Sequence, residues 1–204
     1  MAIRRGLMAQ GNSPYRFVSY LQYQYVSGND PYIDTLTSLG TDDFTAKCSF
    51  ELTQTPSAEY PIFSIWTSTN GYWNCFVTNY SALDCYTVGH HVISNRLLSA
   101  NVKYDATLQR SSSDWSLALD NVASTTWQYT PSTVNNTTIK LFKRGDVNGN
   151  PQIRIYGFEL YVNGSKTLDL KPCFRLSDNK TGMYDTVSGT FLANAGTGEF
   201  IIPS

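Results

Sequence analysis

Apolar and polar residues alternate along most of this chain. In the clearest case, residues 44–52, five apolar residues alternate with four polar ones, namely Thr45, Lys47, Ser49 and Glu51. Successive side chains of a β-strand point to opposite faces, so this pattern predicts a strand with one buried face. The pattern recurs at 102–108, where the polar positions are Lys103, Asp105 and Thr107. Further strands are predicted at 61–66, 72–78, 84–88, 138–142 and 152–162, and another begins with Phe17, Leu21 and Tyr23.

The alternation changes phase within the last of the longer segments. Ile153 and Ile155 share one face, whereas Phe158 and Leu160 fall on the other. Gly157 lies at the change, and we expect a β-bulge or a bend there.

The spacing of turn residues favours a β-sandwich. Turn signals recur about every eight to twelve residues, as in sandwiches and barrels, and no window carries a helical stripe. From Lys171 to the C-terminus, glycines at 182, 189, 196 and 198 separate short apolar pieces, which predicts closely turned β-structure. We therefore predict an all-β fold, an antiparallel sandwich of two sheets with roughly a dozen strands.

Composition and charge exclude several classes of function. Charged residues make up 15% of the chain, against about 25% in an average soluble protein. The formal net charge of -1 gives no electrostatic reason to expect nucleic acid as a partner. No apolar run approaches the length of a membrane span, and residues 1–8 lack the apolar segment of a secretion signal. We expect synthesis in a cytoplasm and no membrane partner.

The cysteines do not have the spacing of a metal site. Cys48, Cys75, Cys85 and Cys173 form no Cys-x-x-Cys pair, which zinc sites usually contain, so no metal or other cofactor is predicted. Buried free thiols are expected. Cys75 and Cys85 lie in consecutive predicted strands, however, and a disulfide between them is the alternative.

The chain divides into an arm and one domain. Residues 1–14 lack alternation and are predicted to be an extended N-terminal arm, and no linker divides residues 15–204, which are predicted to form a single sandwich. The arm carries apolar and basic residues suited to docking on a partner, and these are Ile3, Arg4, Arg5, Leu7 and Met8.

A family resemblance is carried mainly by the C-terminal part of the chain. It rests on IYGFELYVNG at 155–164 and KPCFRLSDNKTGMYDTVSGTFLANAGTGEF at 171–200, with FVSYLQ at 17–22, YIDT at 32–35 and IRRGLM at 3–8 in support. These stretches resemble concanavalin A/laminin-G-like jelly-roll domains of tailed-phage and prophage structural proteins. The resemblance implies a jelly-roll fold and a virion protein made in the cytoplasm of a host bacterium. Its partners would be other capsid or tail proteins and further copies of itself.

An enzyme is not expected. Glycoside hydrolases of this architecture use two carboxylates across a cleft, and two acids on one face of a strand must lie two residues apart. No Asp or Glu in the sequence stands two residues from another. Carboxylates from different strands could still converge.

One short segment is a candidate calcium-binding loop. The run from Asp146 to Asn150 has oxygen-bearing side chains at alternate positions, as calcium loops do, but it lacks the later acid of an EF-hand, because Glu159 falls outside it. We favour a hairpin turn between the strands at 138–142 and 152–162, with Asn-Gly at its tip.

Aromatic residues near predicted strand ends are candidates for sugar binding. The chain has 14 tyrosines and four tryptophans, and aromatic rings can stack on sugars. The candidates are Tyr72, Trp73, Trp127 and Tyr129. Burial of these rings in the core is the competing explanation.

Two functions follow from the sequence. The first is a non-enzymatic surface or decoration component of a phage particle, docked through its arm. The second is a carbohydrate-binding module at a tail fibre or tail tip that recognises host surface glycans. The short arm favours the first, because no coiled-coil shaft precedes the domain.

Overall fold

The computed structural model describes residues 13–23, 30–65, 73–87, 90–130, 138–143 and 152–203. These residues form seventeen strands: β1 Tyr15–Phe17, β2 Leu21–Tyr23, β3 Ile33–Ser38, β4 Phe44–Leu52, β5 Tyr60–Ile65, β6 Trp73–Val77, β7 Ala82–Thr87, β8 His90–Leu97, β9 Lys103–Ser111, β10 Asp114–Leu119, β11 Val122–Gln128, β12 Thr138–Leu141, β13 Ile153–Val162, β14 Ser165–Arg175, β15 Lys180–Asp185, β16 Phe191–Ala193 and β17 Phe200–Ile201. The described residues contain no helix that could cross a membrane.

The strands form two antiparallel sheets. The eleven-stranded sheet follows the order β11-β10-β9-β4-β13-β14-β15-β16, with β1 beside β14, β2 beside β13 and β17 beside β2. The six-stranded sheet has the order β3-β12-β5-β6-β7-β8. The predicted all-β sandwich is confirmed. The strand number exceeds the expected dozen mainly because β1, β2, β16 and β17 are only two or three residues long.

The core lies between the two sheets and is rich in aromatic residues. Phe44 of β4 stacks on Trp73 of β6, with 5.1 Å between ring centroids. Phe63 of β5 meets the edge of Phe158 of β13 at 5.4 Å. Both pairs join one sheet to the other, and each such pair stabilises the fold by about 0.5–1.5 kcal/mol beyond the burial of its area.

The bulge expected at Gly157 is present, but its effect differs from the expectation. The register of β13 against β4 shifts between Ile155 and Gly157. This extra residue restores the phase of the strand, so Phe158 and Leu160 are buried on the same side as Ile155. The predicted change of face is therefore wrong, because a bulge places two residues opposite one and cancels the shift in alternation.

The predicted hairpin between residues 138–142 and 152–162 is also wrong. β12 pairs with β3 and β5 in the six-stranded sheet, whereas β13 pairs with β4 and β14 in the eleven-stranded sheet. The connection therefore links the two sheets. The segment Asp146–Asn150 itself lies outside the described residues.

The expectation of four free thiols is wrong for one pair. Cys75 of β6 and Cys85 of β7 are register partners with 4.4 Å between their Cα atoms, and their sulfur atoms are bonded. Directly opposite residues of antiparallel strands can approach this closely, within the range that a disulfide spans. Cys48 and Cys173 are free and buried.

The first described strand of the sandwich follows directly after the residues predicted to form the arm. The Pro14 carbonyl already accepts a hydrogen bond from the Leu176 backbone at 2.9 Å, and β1 then starts at Tyr15. The proposed docking residues Ile3, Arg4, Arg5, Leu7 and Met8 lie outside the described residues.

Candidate functional site

The outer face of the eleven-stranded sheet carries a polar groove of about 710 Å³. Its centre is formed by β4, β9 and β13, which are neighbours in the sheet. Because alternate side chains of these strands enter the core, the intervening polar side chains face the groove. They include Lys47, Ser49, Lys103, Asp105, Thr107 and Tyr156.

Gly157 opens the middle of this groove. Ser49 of β4 lies opposite Asp105 on one side and opposite Gly157 on the other. A glycine at this outward position has no side chain to fill the space, and a Cβ there would come within 3.3 Å of the Leu170 carbonyl oxygen. The bulge in β13 therefore also shapes the groove.

Asp105 is held in place by hydrogen bonds. Its carboxylate accepts a hydrogen bond from the Ser49 hydroxyl. Its backbone N–H donates to Asp120 Oδ1 at 2.9 Å, and Arg96 pairs with the other oxygen of Asp120 at 2.7 Å. The Ser49 hydrogen bond orients the carboxylate on the groove, which lowers the side-chain entropy lost at binding.

Tyr156 forms a wall of the groove. Its hydroxyl donates to Glu51 Oε2 at 2.5 Å, and Arg154 pairs with Glu51 Oε1 at 2.6 Å. Burial raises the pKa of Tyr156 to about 12, and the hydrogen bond and the negative charge of Glu51 act in the same direction. The phenol is therefore neutral at physiological pH and presents an apolar ring edged by polar groups.

Two carboxylates meet across strands beside the groove. Glu159 of β13 is the register partner of Asp169 of β14. Burial raises the pKa of Glu159, but the hydrogen bonds from Lys166 at 3.1 Å and from Tyr161 at 3.0 Å outweigh it, and the pKa is lowered. An acid with a lowered pKa stays ionised and is a poor proton donor, whereas a general acid needs a raised pKa.

Among the described residues, the acid whose pKa is raised is Asp84, which lies in the other sheet. Burial raises the pKa of Asp84, and the hydrogen bond and charge of His91 act against that rise. Asp84 belongs to β7 of the six-stranded sheet, so it takes no part in the groove.

Trp73 and Trp127, two of the aromatic residues predicted to bind sugar, do not line the groove. Trp73 is 6% exposed and packs between Phe44 and Phe63 in the core. Trp127 is half-buried, stacks on Trp115 at 5.7 Å and donates its indole N–H to Thr87. These rings are engaged with protein groups.

Tyr129, a third candidate, does not line the groove either. Tyr129 is half-buried just after β11, and its carbonyl accepts the Trp115 indole N–H at 2.9 Å. Tyr72 lies outside the described residues.

Sequence reasoning missed the groove as a site. Ser49, Lys47, Lys103 and Asp105 were recognisable as the solvent-facing positions of their strands, since each follows the period of two. Nothing in that period tells which strands are neighbours, so their convergence could not be deduced. Tyr156 could have been suspected from its place beside Gly157.

No metal site is formed by the residues that the structure describes. Groups of three or more His, Cys, Asp or Glu side chains suited to a metal ion are absent among them. The segment considered for calcium, Asp146–Asn150, is not part of them.

Comparison with known proteins identifies the fold but no sequence family. No family model matches the chain, and no curated protein matches it. Among solved structures, a heptameric SAP-like pentraxin from Limulus polyphemus superposes with a TM-score of 0.54 at 10% identity, covering 74% of this chain and 77% of the pentraxin.

Two further structures share the architecture. A proposed carbohydrate-binding protein from Bacteroides ovatus superposes with a TM-score of 0.66 at 8% identity, covering 93% of this chain and 60% of that protein. A sialidase from Trypanosoma rangeli gives 0.51 at 10% identity, but the match covers 62% of this chain and only 21% of the enzyme. At these identities the likenesses show the fold alone. That fold is a jelly-roll sandwich of the pentraxin kind.

Proposed function

We propose that this protein is a non-enzymatic carbohydrate-binding module, with the groove on its eleven-stranded sheet as the binding site. The observation that carries the proposal is the set of polar side chains that β4, β9 and β13 direct into one groove beside a tyrosine ring. Sugars are bound by hydrogen bonds from fixed polar groups together with contact against aromatic surfaces. Ser49 and Asp105 supply the polar groups, and Tyr156, with Lys103 over its ring, forms an aromatic wall beside them.

The comparisons support the same class. One structure with this fold is named as a proposed carbohydrate-binding protein. The sialidase aligns over a fifth of its length, so its activity is not carried over. The ionised state of Glu159 also favours binding over hydrolysis, because a glycoside hydrolase needs a carboxylic acid that can donate a proton.

The role on a phage particle is a separate prediction from the sequence resemblance. In it, residues 1–14 dock the sandwich on capsid or tail proteins, and the groove recognises glycans of the host surface. Residues 1–12 of the arm lie outside the described residues, and none of the three solved structures compared above is named as a virion protein. This prediction, with its homo-oligomeric state and its virion location, awaits tests of its own.

The test is glycan-array screening followed by calorimetry with the oligosaccharides that bind. Asp105→Asn should weaken binding about tenfold, since a hydrogen bond to a charged group contributes about 1.5–3 kcal/mol. Asp114→Asn is the matched control, because Asp114 lies on β10 of the same sheet but outside the groove lining. Absence of binding to any glycan, or equal effects of both substitutions, would contradict the proposal. Release of reducing ends from a bound oligosaccharide would contradict its non-enzymatic part.

A further inference from the structure

Two lysines of the groove face acids that are already engaged. Lys47 of β4 is the register partner of Glu159 on β13, and Lys103 of β9 is the partner of Glu51 on β4. Opposite charges in such positions commonly pair across strands. Here they do not.

Both oxygens of each acid are bound to other groups. Glu51 accepts from Arg154 at 2.6 Å with one oxygen and from Tyr156 at 2.5 Å with the other. Glu159 pairs with Lys166 and accepts from the Tyr161 hydroxyl.

The two lysines lie instead over tyrosine rings. The Lys103 ammonium is 4.8 Å from the centre of the Tyr156 ring, and that of Lys47 is 5.4 Å from the centre of the Tyr161 ring. Neither has a salt bridge to a carboxylate of the described residues. Lys171, which also lines the groove, differs because it pairs with Asp169 at 2.7 Å. Lys47 and Lys103 are thus positive charges of the groove that form no salt bridge with a described acid.

The two lysines flank the centre of the groove. Lys47 lies opposite Thr107, and Lys103 is four residues before Thr107 on β9, which corresponds to about 13 Å along the strands at 3.3 Å per residue. The Ser49–Asp105 pair lies between them. A ligand spanning the groove would therefore meet a cation near each end and a hydrogen-bond acceptor in the middle.

We propose that the preferred ligand is an acidic oligosaccharide, one whose sugars carry carboxylate or sulfate groups. This inference rests on the proposed function and adds the class of glycan. The anionic groups bind Lys47 and Lys103, and sugar hydroxyls between them donate to Asp105. A carboxylate on the ligand can pair with each lysine, which Glu51 and Glu159 do not do because their oxygens are bonded to other groups. Before binding, the cation–π contacts keep the two ammonium groups at the groove.

The test is calorimetry with three acidic oligosaccharides: oligogalacturonate, oligomannuronate and oligo-N-acetylneuraminate. Each is measured beside its carboxyl-reduced neutral counterpart, and sulfated galactan oligosaccharides test the other source of negative charge. At least one acidic ligand should bind about tenfold or more tightly than its neutral form, because charge-assisted hydrogen bonds are the stronger ones. Its affinity should fall as sodium chloride is raised.

Single substitutions locate the effect. Lys47→Gln and Lys103→Gln should each weaken the acidic ligand about tenfold and weaken its neutral counterpart by a clearly smaller factor. Lys140→Gln is the matched control, since Lys140 also lies over a tyrosine ring, that of Tyr32 at 5.5 Å, but belongs to β12 of the six-stranded sheet. Thermal melting of each variant checks that the fold is kept.

The outcomes separate the two proposals. Equal affinity for acidic and neutral forms, with Asp105→Asn weakening both, overturns the acidic preference and leaves carbohydrate binding standing. Acidic binding that both lysine variants retain in full also overturns the inference. Failure of every oligosaccharide, acidic and neutral, overturns the inference together with the proposed function.

Discussion

The hydroxyl of Tyr156 lies 2.5 Å from Glu51 Oε2 and donates a hydrogen bond to it. Ionisation of this phenol would remove the donor and place two negative charges side by side. Burial is the main cause that raises the pKa of Tyr156 to about 12, and Glu51 adds to it. The contact therefore fixes both the protonation state and the position of a groove wall.

Replacing Glu51 should bring the pKa of Tyr156 down. The ionisation of Tyr156 is measured as the difference in phenolate absorbance between the wild-type protein and Tyr156→Phe, which we expect to rise near pH 12. The same difference measured with Glu51→Gln present in both proteins should rise at lower pH. Because the folded-state pKa lies above the ordinary value of about 10, the stability contributed by this pair is complete below about pH 10 and is lost as pH rises through about 12. Glu199→Gln, at an exposed position, is the control. An unchanged titration in Glu51→Gln would contradict this interpretation.

The disulfide between Cys75 and Cys85 should stabilise the six-stranded sheet. It closes a loop with a sequence separation of 10, and cross-links of this kind typically contribute about 2–4 kcal/mol to the free energy of unfolding. We expect the Cys75→Ser/Cys85→Ser variant to lose stability in this range in urea unfolding. Alkylation of the unreduced, unfolded protein should modify Cys48 and Cys173 alone. Modification of all four cysteines would show that the pair is reduced in solution.

Asp185 should make the C-terminal region sensitive to acid. Its carboxylate accepts the backbone N–H of Asp169 at 2.9 Å and both the N–H and the hydroxyl of Ser188 at 3.1 and 2.6 Å. Burial raises the pKa of Asp185, but these hydrogen bonds outweigh it and the pKa is lowered. The stability that it contributes is therefore complete above the ordinary aspartate pKa of about 3.9 and is lost as pH falls through the lowered value.

The corresponding substitution is Asp185→Asn. It should reduce the free energy of unfolding at pH 7 by about 1–3 kcal/mol, because buried donors lose a charged acceptor. Urea unfolding at pH 7 and pH 3 should show the difference from wild type shrinking in acid. Asp114→Asn, at an exposed position that accepts from the Gln128 side chain, should change little. A difference that is independent of pH would contradict the role of the charge.

Gly182 is required by close packing within a strand and not by a turn. A Cβ on Gly182 would overlap the Leu192 carbonyl oxygen and come within 2.8 Å of the Phe191 ring. Gly182→Ala should therefore force the backbones of β15 and β16 apart and cost about 1–3 kcal/mol, as overpacking usually does. Gly157→Ala, where the nearest atom is 3.3 Å away, should cost less. Equal losses in chemical denaturation would contradict the steric explanation.

The strands with unbroken alternation and their buried faces could be predicted from the sequence alone, whereas the face of β13 after Gly157 could not. The period of two at Phe44–Leu52 and at residues 102–108 is a property of the extended backbone, so it identifies a strand and its core side without knowledge of any partner. The sandwich followed from many such strands without a helical pattern. The bulge at Gly157 could also be predicted, because the alternation changes phase at that position.

Only the tertiary structure determined which strands lie side by side. Ser49, Asp105 and Gly157 come from distant parts of the chain and meet because β4 lies between β9 and β13. Alternation shows which face of a strand is buried but not which strands lie beside it, so it could predict neither this groove nor the Cys75–Cys85 pairing. The same limit applies to Trp73, where the sequence permitted a sugar platform and the register placed the ring in the core. Partner choice depends on how the whole apolar surface is buried, and that is a property of the assembled sheets.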